Sequence, residues 1–149
     1  MAESRAKRMQ VVLLLAERKE QELGQQLSQQ QQVVNLEIEQ LRQLDDYAKQ
    51  YLHTYTERKT QVRAHELIAY SGFIQRLGEA RSEQQAKIER QQKVLARMQQ
   101  VWRTAHHKCD SIRELIERLQ QDEHAILDKR LQKELDELVG QQYSRQNLP

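Results

Sequence analysis

Apolar side chains recur along the second half of the chain in alternating steps of three and four. The positions run Leu67, Tyr70, Ile74, Leu77, Arg81, Gln84, Ile88, Gln91, Leu95, Met98, Trp102, Ala105, Cys109, Ile112, Ile116 and Leu119, with Arg81, Gln84 and Gln91 the polar exceptions. A repeat of about 3.5 residues is a heptad seam of a and d positions, and it implies left-handed supercoiling. The first half carries a matching seam of Leu27, Gln31, Val34, Ile38, Leu41, Asp45, Ala48, Leu52 and Tyr55. Before Leu27, the residues Leu13, Ala16, Glu20 and Leu23 fit a slightly shifted register. Between the two arms, residues 58–66 are polar and basic with little apolar pattern, which predicts a turn. Ser71-Gly72 is a competing turn signal, but the heptad passes straight through it. Gly78 also falls inside the second helix, at a cost of about 1 kcal/mol against alanine.

The pattern predicts an all-α fold of two long helices forming an antiparallel coiled-coil hairpin, because arms joined by one short turn pair with their neighbours. The expected helices span about 5–58 and 66–139, with a turn near 59–65, a tail over 140–149, and all of it one domain. At 1.5 Å per residue the longer arm would measure roughly 110 Å. Gly140 is placed to end the second helix as a C′ residue. The preferred register sets Leu27 against Trp102, Val34 against Leu95, Leu41 against Ile88, Leu52 against Leu77 and Tyr55 against Ile74, with the turn centred on Ala64-His65. It also brings Asp45 close to Arg81, a polar layer of the kind that fixes alignment. A slip of one heptad would set Leu41 against Arg81 and Ile38 against Gln84, a poorer match. Glu83/Lys87, Glu89/Lys93 and Glu114/Arg118 are i,i+4 pairs in the favourable order. The first arm runs out before the second, so Leu127, Leu131, Leu135 and Leu138 form an apolar stripe without a partner.

Composition agrees with long helices. Of 149 residues, 31% are charged and 5% aromatic, and the mean hydropathy is −0.94. Gln, Glu, Leu, Arg, Lys and Ala dominate, all good helix formers. The single proline is Pro149. Disorder is the competing reading of so polar a chain, and the heptads argue against it. Net charge is +2, with 24 basic and 22 acidic residues interspersed, so no clustered positive footprint points to nucleic acid. No apolar run approaches the ~20 residues of a membrane span, which speaks against direct membrane insertion. Residues 11–16 are too short for a signal-peptide core. One cysteine, Cys109, forms no internal disulfide and suggests a reducing, cytoplasmic setting.

Candidate chemistry is sparse. No glycine-rich phosphate loop and no Gly-x-Ser-x-Gly elbow is present. His106, His107, Cys109 and His124 resemble metal ligands by type, but Cys109 lies in the seam, where a small buried hydrophobe is expected. Asp45-Asp46 is a possible acid pair without a cleft to exclude water. No catalysis, no metal and no cofactor is therefore expected. Tyr47 and Tyr51 lie one turn apart beside the seam, Gln40 and Leu44 continue that stripe backwards, and Phe73 falls just off the second seam. This patch either packs on the flanks of the coiled coil or forms a partner surface, since aromatic anchors dominate interface energies.

The stretches Gln40-Leu41, Leu44-Asp45, Tyr47 and Tyr51 before the turn, and Tyr70-Ser-Gly-Phe73-Ile74-Gln with Leu77 and Ala80 after it, carry a resemblance, with Trp102-Arg103 as a third point. Over most of its length the chain resembles the FliJ family of flagellar type III export proteins. The resemblance implies a coiled coil similar to the γ-subunit stalk of rotary ATPases. It implies a non-enzymatic protein on the cytoplasmic side of the inner membrane at the flagellar base. Implied partners are the hexameric export ATPase FliI, the cytoplasmic part of the export gate protein FlhA, and flagellar export chaperones. Carried over, the gate-facing surface would be Gln40, Leu44, Tyr47 and Tyr51 with Phe73, Leu77, Ala80 and Gln84. Leu77 and Gln84 are also seam positions, so they are not expected to be wholly exposed. For the ATPase ring, the unpaired apolar residues Val12, Leu13, Leu15, Leu127, Leu131, Leu135 and Leu138 are the candidates. The alternatives are the stalk of a virulence-type secretion system, or a generic coiled-coil scaffold.

Overall fold

Helix-forming residues without an internal proline leave little to interrupt a helix, and the computed structural model has two. It describes residues 4–58 and 63–147. Helix α1 spans Arg5–Glu57 and α2 spans Ala64–Gln146, and no strand occurs among the described residues. The fold is an all-α helical hairpin. Ser4 caps α1, its Oγ accepting from the Lys7 amide at 3.2 Å, as an N-cap serine does. Glu66 reaches back to the Arg63 amide at 3.5 Å to open α2, the acidic half of a capping box.

Two termini differ from expectation. Ala64 and His65 are already helical, so the turn is not centred on them; residues 59–62 of the expected turn lie outside the described residues. At the far end, Gly140 does not stop α2, which continues to Gln146. A C′ glycine would need positive φ, and no described residue has it. Gln141 and Gln142 instead carry the helix onward. Ser71-Gly72 is likewise helical, as the heptad predicted.

The chain divides into two compact units, Met1–Glu20 with Thr104–Pro149, and Gln21–Arg103. In the second unit, Gln30 Nε2 donates to Gln91 Oε1 at 2.8 Å, Gln84 Nε2 donates to the Glu37 carbonyl at 2.9 Å, and Tyr70 Oη donates to the Tyr51 carbonyl at 3.3 Å. Rising numbers on α1 meet falling numbers on α2, so the arms are antiparallel. The first two bonds bracket Val34 and Ile88, which are 2% and 3% exposed. Val34 therefore faces Ile88, not Leu95, and Ile88 does not face Leu41. Trp102 lies against Gly24, not Leu27: a Cβ on Gly24 would meet the indole Nε1 at 3.4 Å. The expected proximity of Asp45 and Arg81 is present, with Nε to Oδ1 at 2.5 Å. Lys87 bonds across the arms to Glu37 at 3.3 Å, and no ion pair closes between Glu83 and Lys87, Glu89 and Lys93, or Glu114 and Arg118.

Around Val34 this is the register one heptad along, the one expected to match more poorly, and burial shows a change of phase on α1 besides. On α2 the covered positions follow the expected seam from Tyr70 onward, except that Arg81 is exposed, as is Leu67 at its start. On α1 of this unit, Leu23, Leu27, Gln30, Val34, Glu37, Leu41, Leu44, Ala48, Tyr51 and Tyr55 are covered. Every second seam position thus sits one residue earlier than expected. Gln31, Ile38 and Leu52 are exposed, and Ile38 stands 44% in solvent. Truncating Ile88 to alanine is expected to cost about 2–5 kcal/mol. Ile38→Ala should cost under about 1 kcal/mol, as surface changes do. Urea unfolding followed by circular dichroism measures both, and equal losses would return Ile38 to the seam.

The first unit repeats the pattern. Ala6, Met9, Leu13, Ala16 and Glu20 face α2, and Cys109, Ile112 and Ile116 are buried beneath them. The Ala6 amide donates to Glu123 Oε1 at 3.4 Å, and Arg113 bonds to Glu17 at 3.1 Å. Past Glu123, residues 124–147 of α2 are all exposed.

Candidate partner-binding surfaces

Gln40, Leu44, Tyr47 and Tyr51 follow steps of four, three and four, and so do Phe73, Leu77, Ala80 and Gln84. Each set is one helical stripe, and the hairpin brings the two together in the unit Gln21–Arg103. Tyr51 and Phe73 have ring centroids 4.2 Å apart, and Tyr47 meets Phe73 edge-on at 6.1 Å. Tyr51 and Tyr55 both pack on Tyr70 at 4.4 Å. Such ring pairs contribute about 0.5–1.5 kcal/mol each beyond area. Burial among the rings pushes the Tyr70 phenol above its ordinary value. Tyr47 remains 51% exposed, and Gln40 is exposed. Leu44, Tyr51, Phe73, Leu77, Ala80 and Gln84 are half-buried. Leu44 and Tyr51 thus share the double position foreseen for Leu77 and Gln84, each with one side in the seam and one in solvent. Leu44 and Leu77 also line a shallow groove of about 140 Å³ with Ala48, Leu52, Ile74, Gly78 and Arg81. Sequence spacing did not reveal Tyr55 and Tyr70 as supports of this cluster, because their contact depends on the cross-arm register.

The second candidate set lies in the other unit. Val12 is 41% exposed and Leu15 60%. Leu13 differs: it is half-buried and borders a groove with Gln10, Leu14, Glu17, Arg113 and Ile116. It belongs to the seam more than to the surface. Leu127, Leu131, Leu135 and Leu138 are all more than half exposed, and Tyr143 and Val139 extend the apolar surface toward the end of α2.

Glu20 joins two of the residues considered as metal ligands. It accepts a hydrogen bond from the Cys109 thiol, and its Oε1 lies 3.0 Å from His106 Nδ1. Cys109 is fully buried, and burial, with the neighbouring Glu20, pushes its pKa up to about 11. A thiol held protonated is a poor metal ligand and a slow nucleophile. Among the described residues, no group of three or more His, Cys, Asp and Glu is arranged to hold a metal ion. The Cys109 and His106 hydrogen bonds hold the Glu20 carboxyl below the usual carboxylate range, against the opposing effect of burial. Folded Glu20 therefore binds its proton less readily than the unfolded residue. Its contribution to stability is full above the unfolded value and is lost as pH falls through the lowered one. The melting temperature should drop on acidification through that window, and Glu20→Gln should flatten the drop. An acid limb of the Tm profile that is the same in both proteins would contradict this.

No described helix is long and apolar enough to cross a membrane. A family model described as "Flagellar FliJ protein" matches residues 5–148. No curated protein and no solved structure matches the chain.

Proposed function

The chain belongs to the FliJ family, and from that premise, which makes it a flagellar export-related protein, we infer that it works by holding two partners at once. One is the hexameric export ATPase FliI, engaged through the apolar residues of the unit Met1–Glu20 with Thr104–Pro149. The other is the cytoplasmic part of the export gate FlhA, engaged through the aromatic surface of the unit Gln21–Arg103. Coupling these two, with help in delivering chaperones and their substrates, is a binding task and needs no reaction at the protein itself. It acts on the cytoplasmic face of the inner membrane.

The observation that supports this reading best is the convergence of the two stripes from Gln40 and from Phe73. Tyr47 stands half in solvent while its ring rests on Phe73. A large ring held in place by neighbours loses little freedom on binding, which is the property of an interface anchor. Co-purification of the full chain with the ATPase and with the gate's cytoplasmic domain tests the reading. Recovery of both partners is expected; recovery of neither would overturn it.

A further inference from the structure

Two polar layers cross the seam of the unit Gln21–Arg103. In one, Gln30 Nε2 donates to the Gln91 side chain at 2.8 Å and to the Gln91 carbonyl at 3.1 Å. In the other, one heptad along α1, Gln84 Nε2 donates to Glu37 Oε2 at 2.6 Å and to the Glu37 carbonyl at 2.9 Å. Lys87 closes on the same carboxylate at 3.3 Å. Gln30, Glu37, Gln84 and Gln91 are all half-buried, so an amide there that loses its partner is only partly compensated by water.

The apolar residues do not by themselves choose this alignment. Moved by one heptad, Val34 faces Leu95, Leu41 faces Ile88 and Tyr51 faces Leu77, each layer apolar on both sides. The chain permits the move. Residues 63–69 at the start of α2 are all exposed, so a longer turn could take them without uncovering the seam. What the move loses is polar pairing. Glu37 exchanges Gln84 for Gln91, but Gln30 then faces Met98 and Gln84 faces Leu44, two amides against apolar side chains.

We propose that the Gln30–Gln91 and Glu37–Gln84 layers are a register lock. They hold the arms in the observed alignment against a second one, a heptad or about 10 Å away along the helices, that the apolar residues also permit. A polar residue in a seam fixes alignment in this way at some cost in stability. The Asp45–Arg81 pair adds less, because Arg81 is 60% exposed and solvent weakens such a pair. The lock also assembles the aromatic surface. In the observed alignment Tyr51 packs on Tyr70 and Phe73, and in the second it would leave both for Leu77.

Two double variants of the full chain test this, each turning two seam glutamines into leucine. Gln30→Leu with Gln84→Leu leaves a leucine against Gln91 and another against Glu37 in the observed alignment. In the second alignment the same leucines meet Met98 and Leu44, and Glu37 meets Gln91. Gln30→Leu with Gln91→Leu is the control: its leucines face each other as the arms stand, and the Glu37–Gln84 layer is untouched. Spin labels on Gln29→Cys and Gln75→Cys, both exposed positions, in a Cys109→Ala background, report the alignment as a distance. The wild-type layers and the control are expected to give the same distance. Gln30→Leu with Gln84→Leu should give one about 10 Å longer, with helicity kept by circular dichroism. An unchanged distance in that variant would overturn the proposal, and so would an equal lengthening in the control. Unfolding of Gln30→Leu with Gln84→Leu while the control stays folded would overturn it too, since no second alignment would then exist to receive the arms.

Discussion

Leu131→Asp combined with Leu135→Asp is expected to abolish both binding and stimulation of the export ATPase while gate binding stays as in the wild type. Two leucines removed from a contact where each was buried forfeit about 1.5–3 kcal/mol apiece. That total is roughly a hundredfold or more in affinity. The carboxylates add a desolvation cost of their own. Helicity should not change, because both leucines are already more than half exposed. An ATPase assay and a pull-down on the gate domain read the two arms of this prediction. Full stimulation by the double variant would end the ring assignment.

Alanine in place of Tyr47 is expected to weaken gate binding by about 2 kcal/mol, the usual cost of losing a central aromatic anchor, with a smaller loss of thermal stability than Tyr51→Ala brings. Tyr51→Ala should weaken binding to a similar degree and also lower the melting temperature. The difference follows from what each ring touches. Tyr47 presents half its surface to solvent. Tyr51 lies between Phe73 and Tyr70, with centroids at 4.2 and 4.4 Å. Removing it leaves a gap in the seam as well as in the surface. Titration calorimetry against the gate domain, paired with thermal melts, separates the two effects. Unchanged affinity in Tyr47→Ala, with unchanged circular dichroism, would return both tyrosines to a packing role.

The second arm was readable from its sequence almost residue by residue, and the first only at alternate positions. On α2, aliphatic and aromatic residues mark most seam positions, and the intervening ones are polar. On α1 the choice between i+3 and i+4 was ambiguous at each repeat. Gln30 and Gln31 are equally polar, Ile38 looks better than Glu37, and Leu52 looks as good as Tyr51. The structure takes the earlier residue every time. A rigid helix keeps one phase, and the phase already set by Leu13, Ala16, Glu20 and Leu23 continues through Leu44 and Tyr51. Glu37 is tolerable in that phase because Gln84 donates to it and Lys87 pairs with it; those partners lie far away in sequence. The candidate surface was legible for a related reason. Spacings of four, three and four define a stripe within one helix, whereas the packing of Tyr51 and Tyr55 on Tyr70 depends on the register between helices.

The contact between Trp102 and Gly24 has an optical consequence. The chain has one tryptophan, and in this fold its indole is stationed on the opposite arm against a residue with no side chain. Excited at the red edge, where tyrosine does not absorb, the protein emits from that single place in the unit Gln21–Arg103. Its emission therefore follows the closeness of the two arms around Gly24 and is blind to the tyrosines near the turn. The hairpin carries its own unlabelled gauge of whether a bound partner leaves its arms joined or prises them apart.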